Sequence, residues 1–230
     1  IILVLDSSNS MRRTLDGDLT NYDSQRRITA LKKTAKEFVE DILDGDNVRI
    51  GIVEYDDDIE QSVPLTSNKT VLINSINNLK YDDSTNLQAG IAEADKLLDN
   101  SRSDAAKIVV ILTDGIPTKF TYKANGSTYS CGNGSEDEIA YGDSKYCPDI
   151  KPSVAAKTAL DTLKSNHKTT DVWTITFGNE EEAATTLATI NPVTAAGVSP
   201  VYKNLKALTA DALEQEFSNL IEVEKSKVTK

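Results

Sequence analysis

Sulfur and imidazole are scarce in this sequence. Its 230 residues include two cysteines, one methionine and one histidine, His167. Structural zinc centres are usually built from four Cys or His ligands, and two cysteines with one histidine cannot supply them without help from carboxylates. A zinc centre of the Cys/His type is therefore excluded.

Basic residues are also in the minority. The chain has 25 Lys and Arg against 36 Asp and Glu, which gives a net charge of −11. Binding to phosphate requires clustered Lys and Arg, and no such cluster stands out, so nucleic acid and anionic membrane are not expected partners. No apolar run reaches the roughly 18 to 20 residues of a membrane span, and there is no signal peptide pattern. Because the sequence starts with Ile inside an apolar strand, we expect it to be excised from a longer protein.

The predicted elements alternate between strands and helices. This order is typical of an α/β fold with a doubly wound, Rossmann-like, mostly parallel sheet and helices on both faces. Residues 48–55 and 59–65 are predicted as a hairpin, which adds one antiparallel edge strand. We expect a single domain over residues 1–230, with insertions at about 11–25 and 116–150. The second insertion shows no period and is predicted to be irregular.

Two of the predicted helices contain residues with a specific structural role, an N-cap in one and an internal glycine in the other. The first has Ile28 and Leu31 on its apolar face, and Asp23 or Ser24 could serve as its N-cap. Another helix starts at about Asn86 and contains Gly90. Glycine is unfavourable inside a helix by about 1 kcal/mol relative to Ala, so Gly90 suggests close approach to a strand.

Both cysteines lie in the second insertion, which has little apolar content. A disulfide between Cys131 and Cys147 would close this loop and stabilise the fold by about 3 kcal/mol in the chain-entropy model. Such a bond requires an oxidising environment. The alternative is a pair of free thiols in a cytosolic protein.

Oxygen-bearing side chains follow two apolar strands. Asp6, Ser8 and Ser10 come directly after IILVL, and in an extended segment residues two apart point the same way. Asp114 ends the strand KIVVILT, and Thr85 starts a helix that leads back to the same edge of the sheet. Two carboxylates about 5 Å apart repel by roughly 3 kcal/mol at an effective dielectric constant of 20. A divalent cation removes this repulsion, and hard oxygen ligands suit Mg²⁺, with Mn²⁺ or Ca²⁺ as alternatives.

Three motifs carry a family resemblance: DSSNS at 6–10, STNLQAGI at 84–91 and ILTDGIPT at 111–118. Together they resemble the von Willebrand factor A domain with its metal-ion-dependent adhesion site, over nearly the whole chain. The resemblance implies that Ser8, Ser10 and Thr85 contact Mg²⁺ through their hydroxyls, and that Asp6 and Asp114 act directly or through water. Asn9 stands where many members have Gly, which leaves this ligand set intact.

Within the family, the long segment after TDG makes the chain most similar to tip adhesins of Gram-positive pili and cell-wall-anchored surface adhesins. The resemblance implies an extracellular protein that binds an extracellular-matrix or host-surface protein through a Mg²⁺-bridged acidic residue. Other domains or subunits of a surface assembly are further expected partners. One alternative is a scaffolding module whose metal only stabilises loops. Another is an enzyme such as a phosphohydrolase with Asp6 as nucleophile, but no GxxxxGK[ST] or GxSxG motif supports it.

Four further residues are candidate ligand contacts. Arg12 and Arg13 could flank an incoming carboxylate, or they could be solvated charges of the loop. Tyr122 and Tyr129 lie in the second insertion, and tyrosine favours contact surfaces. The alternative is that these rings pack only against their own loop.

Overall fold

The computed structural model describes residues 1–43, 47–132, 134, 145–178, 181–196, 198–207 and 209–228. Much of the second predicted insertion, at 133 and 135–144, therefore lies outside the described residues. Within the described ranges, no helix combines the length and the apolar character that a membrane span requires.

In the ranges that the structure describes, the fold has eight strands and six α-helices. The strands are β1 (Ile2–Asp6), β2 (Ile50–Tyr55), β3 (Ile59–Thr66), β4 (Lys107–Thr113), β5 (Phe120–Ala124), β6 (Ser127–Cys131), β7 (Thr170–Phe177) and β8 (Tyr202–Ala207). The helices are α1 (Arg27–Ile42), α2 (Lys69–Asn78), α3 (Leu87–Asp99), α4 (Pro152–Asn166), α5 (Glu181–Ile190) and α6 (Ala210–Val228).

Six of the strands form one sheet in the order β3-β2-β1-β4-β7-β8. Every neighbouring pair is parallel except β2 and β3, which are antiparallel. The predicted fold class is confirmed, including the antiparallel edge strand. The chain proceeds from β1 to one side and later returns to β4 on the other side, so the topological switch point lies between β1 and β4. Ligands bind at the carboxyl ends of the strands at such a point.

The central strands are buried on both faces, which explains why they read as continuous apolar runs. In β1, Leu3 and Leu5 pack in a core with α1, α2 and α6. Ile2 and Val4 point to the opposite face and pack with α3, α4 and α5. The alternation along one strand therefore places a hydrophobic core on each side of the sheet.

Gly90 of α3 lies against the sheet, as its position in the helix suggested. A Cβ added at Gly90 would lie 2.8 Å from Tyr55 Cδ1 and 3.1 Å from Val4 Cγ1. The absence of a side chain therefore lets α3 pack directly on β1 and β2, close to their carboxyl ends.

The prediction of an irregular second insertion is wrong for its first part. Residues 120–131 form the β5–β6 hairpin, in which Tyr122 pairs with Tyr129. Its turn is Asn125–Gly126, and both residues have positive φ, 51° and 76°. Asn-Gly is the preferred sequence for a two-residue hairpin turn, because both central residues must adopt this conformation.

The start of α1 also differs from the prediction. Asp23 and Ser24 belong to a separate 3-10 turn, Asp23–Gln25, and the helix begins at Arg27 with no side-chain cap. The Asp23 carboxylate instead pairs with Arg26, and the backbone carbonyl of Asp23 accepts a hydrogen bond of 2.6 Å from the Thr29 hydroxyl. These local bonds use the groups of Asp23 that a cap would have needed.

The two cysteines form the predicted disulfide. Cys131 and Cys147 are bonded, with their Cα atoms 5.7 Å apart. Cys131 ends β6, and Cys147 packs with Phe120 and Ala155 in a small satellite core. The disulfide therefore fastens the hairpin to the segment that leads into α4.

Candidate functional site

Two buried carboxylates stand at the switch point of the sheet. Asp6 is the last residue of β1, and Asp114 follows the last residue of the neighbouring β4. Neither side chain is exposed to solvent. The apolar strands thus deliver both acids to one edge of the sheet, as the sequence predicted.

The carboxylate of Asp6 accepts hydrogen bonds from two neighbouring residues. Its Oδ1 accepts the backbone N–H of Ser8 at 2.8 Å, and its Oδ2 accepts the hydroxyl of Thr113. Burial raises the pKa of Asp6 above its ordinary value, against the opposing effect of these hydrogen bonds. Both carboxylate oxygens are engaged by neighbours, so the orientation of Asp6 is fixed.

Two serine hydroxyls connect the β1 loop to Asp114. Ser8 Oγ lies 3.0 Å from Ser10 Oγ, and Ser10 Oγ donates to Asp114 Oδ1 at 2.6 Å. Burial, and then the negative charge of Asp6, raise the pKa of Asp114 to about 7. A positive charge placed between the two acids would relieve this repulsion.

Thr85 reaches the same point from the loop before α3. Its N–H donates to Thr118 Oγ1 at 2.9 Å, and its carbonyl accepts the N–H of Thr118 at 2.9 Å. A Cβ added at Gly115 would lie 3.6 Å from Ser10 Oγ and 3.7 Å from Thr85 Oγ1. The two hydroxyls therefore face a small space that Gly115 leaves open.

These side chains line an open cleft of about 610 Å³. Ser8, Ser10, Thr85 and Asp114 contribute to its wall, while Asp6 lies behind it. The charged side chains of the lining are Arg13, Arg27, Asp83, Asp114 and Glu182. The predicted ligand set thus comes together, with four members facing the cleft and one behind them.

Arg27 is a site residue that the sequence analysis missed. Its NH1 donates to Asp114 Oδ2 at 2.8 Å, and neither side chain is exposed. The sequence signal was present, because Arg27 precedes Leu31 by four positions and therefore lies on the apolar face of α1. A charged residue on a buried helix face indicates a buried partner.

The other predicted contacts are not all near the cleft. Arg13 lines it and donates to the Gly17 carbonyl at 2.8 Å, whereas Arg12 is exposed and does not line it. Tyr122 and Tyr129 do not line it either. The Tyr129 ring lies 4.8 Å from that of Tyr146, so for Tyr129 the structure favours packing within its own loop.

The donor set fits a hard divalent cation. In the part of the chain that the structure describes, no three His, Cys, Asp or Glu side chains are grouped as metal ligands. A cation here would therefore rely on two carboxylates and on the hydroxyls of Ser8, Ser10 and Thr85. Such an all-oxygen set suits Mg²⁺, which needs only one or two carboxylates and keeps water in its remaining positions.

Comparison with known proteins assigns the family. The sequence pattern of the von Willebrand factor type A domain matches residues 1–116, half of the chain. The chain belongs to this family, as its motifs indicated. No curated protein matches the sequence.

Several solved pilus proteins share the fold. The PilB minor pilin of Streptococcus sanguinis is 18% identical with a TM-score of 0.71, and the match covers 96% of this chain and 60% of the pilin. The vWF domain of the type V pili tip protein Mfa5 of Porphyromonas gingivalis is 15% identical, with a TM-score of 0.71 and coverage of 100% and 95%. The adhesive tip pilin GBS104 of Group B Streptococcus agalactiae is 12% identical, with a TM-score of 0.70 and coverage of 96% and 98%. This chain therefore spans 60% of the length of PilB.

Proposed function

We propose that this domain is a metal-dependent adhesion module that binds an acidic side chain of a protein ligand. The observation that carries the proposal is the meeting of Ser8, Ser10, Thr85 and Asp114 in one open cleft, with Asp6 fixed behind them. These residues would hold Mg²⁺, or Mn²⁺ or Ca²⁺ in its place. When bound, the cation would supply an exchangeable position for a ligand carboxylate.

The charges of the chain and of the cleft make a cation necessary for this choice of ligand. The chain as a whole is acidic, with a net charge of −11, so an acidic partner needs a local positive site. Arg13 and Arg27 line the cleft, but so do Asp83, Asp114 and Glu182, so the bound cation would have to supply the local positive charge. Three of the proposed metal ligands are neutral hydroxyls, which leave more of the positive charge of a cation available to a partner.

The cleft supports binding better than catalysis. A nucleophilic hydroxyl requires a general base, most often a histidine, and His167 is the one histidine of the chain. His167 directly follows α4, and its Nε2 lies 3.1 Å from Asp95 Oδ1 of α3; it does not line the cleft. The histidine therefore cannot activate a hydroxyl of the cleft. Asp6, the nucleophile of the hydrolase alternative, has both carboxylate oxygens bound by Ser8 and Thr113 and does not line the cleft.

We propose that the module lies on a cell surface or pilus, together with other domains or subunits. The expected location remains the cell wall or pilus of a Gram-positive bacterium. The titles of the similar structures name pilus proteins, and the match to PilB leaves 40% of that chain for other parts. The disulfide supports an oxidising, extracellular setting.

The test is a binding screen on immobilised extracellular-matrix proteins, such as fibronectin, fibrinogen and collagens. The domain is applied in Mg²⁺ and in EDTA, and Thr85→Ala is compared with Ser84→Ala. Ser84 is the matched control because it lines the same cleft but lies outside the predicted ligand set. We expect attachment in Mg²⁺ that is lost in EDTA and in Thr85→Ala but kept in Ser84→Ala.

Other outcomes point to other functions. If Mg²⁺ raises the melting temperature but attachment to every protein is the same in EDTA, the metal only ties loops together and the domain is a scaffold. Phosphatase turnover that disappears in Asp6→Asn would instead establish an enzyme.

A further inference from the structure

We propose that Arg27 is a positioning residue that competes with the cation for Asp114. It neutralises Asp114 when the site is empty of metal, weakens cation binding, and adds positive charge to the metal-loaded site. This inference rests on the proposed metal site and names the residue that regulates it.

The surroundings of Arg27 form a built pocket for its guanidinium. Nε donates to the Thr14 carbonyl at 2.8 Å, and NH1 donates to Asp114 Oδ2 at 2.8 Å. A Cβ added at Gly178 would lie 2.9 Å from the Cζ, Nε and NH2 atoms of Arg27. Gly178 has φ of +107° and directly follows β7, so its backbone makes the room that the guanidinium occupies.

Arg27 thereby joins three parts of the cleft edge, namely the loop after β1, the end of β4 and the end of β7. It also leaves Asp114 with two separate partners, because Ser10 binds Oδ1 and Arg27 binds Oδ2. One carboxylate oxygen faces the proposed metal ligands and the other faces the arginine. The carboxylate can therefore be shared between the two sides.

Electrostatics gives the direction of the effect. Two buried acids with one guanidinium make a folded metal-free state possible, whereas two buried acids alone would repel. A cation that binds between Asp6 and Asp114 is repelled by Arg27, since both are positive. Once bound, the cation would share Asp114 with Arg27, so its charge would be less fully neutralised and would attract an acidic ligand more strongly.

The test uses Arg27→Gln and Arg27→Lys, with Arg26→Gln as the matched control. Arg26 is the adjacent arginine but pairs with Asp23, whose side chain is 82% exposed. Mg²⁺ affinity is measured by calorimetry at about pH 8.5 so that protons do not compete, and melting temperature is measured in EDTA. For Arg27→Gln we expect Mg²⁺ to bind about tenfold tighter, or about 1.4 kcal/mol, and the metal-free domain to melt at a lower temperature.

If Arg27 had a purely structural role, Arg27→Gln would lower both the Mg²⁺ affinity and the melting temperature. Tighter Mg²⁺ binding together with a lower melting temperature therefore identifies the proposed role. Arg27→Lys, which keeps the charge, should bind Mg²⁺ within about threefold of wild type, a difference of less than 1 kcal/mol. Equal or weaker Mg²⁺ binding by Arg27→Gln overturns the proposal, as does tighter binding by Arg27→Lys or Arg26→Gln.

Folding is covered by a second measurement. If Arg27→Gln is unfolded in EDTA, circular dichroism during addition of Mg²⁺ decides: refolding supports the proposal, and failure to refold at saturating Mg²⁺ overturns it. If wild type binds Mg²⁺ and Arg27→Gln binds it with the same affinity, this inference is overturned but the proposed function is not. Failure of both proteins to bind Mg²⁺ overturns it together with the proposed function.

Discussion

Ser10 Oγ donates a hydrogen bond of 2.6 Å to Asp114 Oδ1 and joins positions that are 104 residues apart. The bond links the loop after β1 to the residue that follows β4. Both groups belong to the proposed ligand set, so the fold itself holds them together through this bond. Preassembly of this kind lowers the conformational cost of binding.

The first prediction concerns Ser10→Ala. It removes a hydrogen bond to a buried carboxylate, which should lower the free energy of unfolding in EDTA by about 1 to 3 kcal/mol. It also removes a proposed ligand, so the rise in melting temperature on addition of Mg²⁺ should shrink or vanish. Differential scanning calorimetry with and without Mg²⁺ measures both effects.

Ser62→Ala is the control for this prediction. Ser62 Oγ also donates to a carboxylate, Glu93 Oε1 at 2.8 Å, but on an exposed surface. Its replacement should cost less stability and leave the Mg²⁺ effect unchanged. Equal responses of the two variants to Mg²⁺ would remove Ser10 from the ligand set.

The second prediction is that the stability of the metal-free domain falls as the pH rises from about 5 to about 7. Burial, followed by the nearby acid Glu60, raises the pKa of Asp56 to about 7 from its ordinary value of 3.8. Between these values the folded chain holds a proton that the unfolded chain has released, so stability is highest at the acidic end and declines with pH. Since one pKa unit corresponds to about 1.4 kcal/mol, the loss should be about 1 kcal/mol or more.

Urea unfolding in EDTA at several pH values tests this dependence, with Asp56→Asn as the comparison. Asn does not titrate, so the slope of stability against pH should be smaller in the variant. It should not vanish, because the raised pKa of Asp114 acts in the same direction. A slope that is identical in wild type and Asp56→Asn would contradict the assignment to Asp56.

The third prediction is that Gly90→Ala destabilises the domain by about 1 to 3 kcal/mol, the usual cost of overpacking a core. The added methyl would meet Tyr55 Cδ1 at 2.8 Å and Val4 Cγ1 at 3.1 Å. In a helix with free space the same change would stabilise by about 1 kcal/mol. The sign of the change in urea midpoint therefore distinguishes close packing from open space.

The meeting of Asp6 and Asp114 could be predicted from sequence because each carboxylate stands at the end of a buried strand. An apolar run followed by polar residues places Asp6 and Asp114 at the carboxyl edge, and adjacent parallel strands bring them together. Arg27 could not be assigned in the same way. The helix pattern indicated its face, but its partner lies 87 residues away, and only the packing of α1 on the sheet brings them into contact.

The β5–β6 hairpin illustrates a different limit. Its turn signal, Asn125–Gly126, is strong, but its strands lack the apolar alternation that usually marks a hairpin. Phe120 and Cys131, at its two ends, are its buried residues. Much of its attachment therefore comes from a satellite core and a disulfide, which local periodicity does not reveal.

The fourth prediction concerns that disulfide. Replacing Cys131 and Cys147 with Ser should lower the free energy of unfolding by about 3 kcal/mol, the chain-entropy estimate for a closed loop of about 15 residues. Urea unfolding measures the change, and wild type treated with a reducing agent should lose a similar amount. The rise in melting temperature on addition of Mg²⁺ should be kept, because Asp6, Ser10 and Asp114 are held by β1, β4 and their loops rather than by the hairpin. Loss of the Mg²⁺ effect in the double Ser variant would mean that the hairpin also shapes the cleft. It could do so through Thr118, which precedes β5 and holds Thr85, or through Gly134, which follows β6 and lines the cleft.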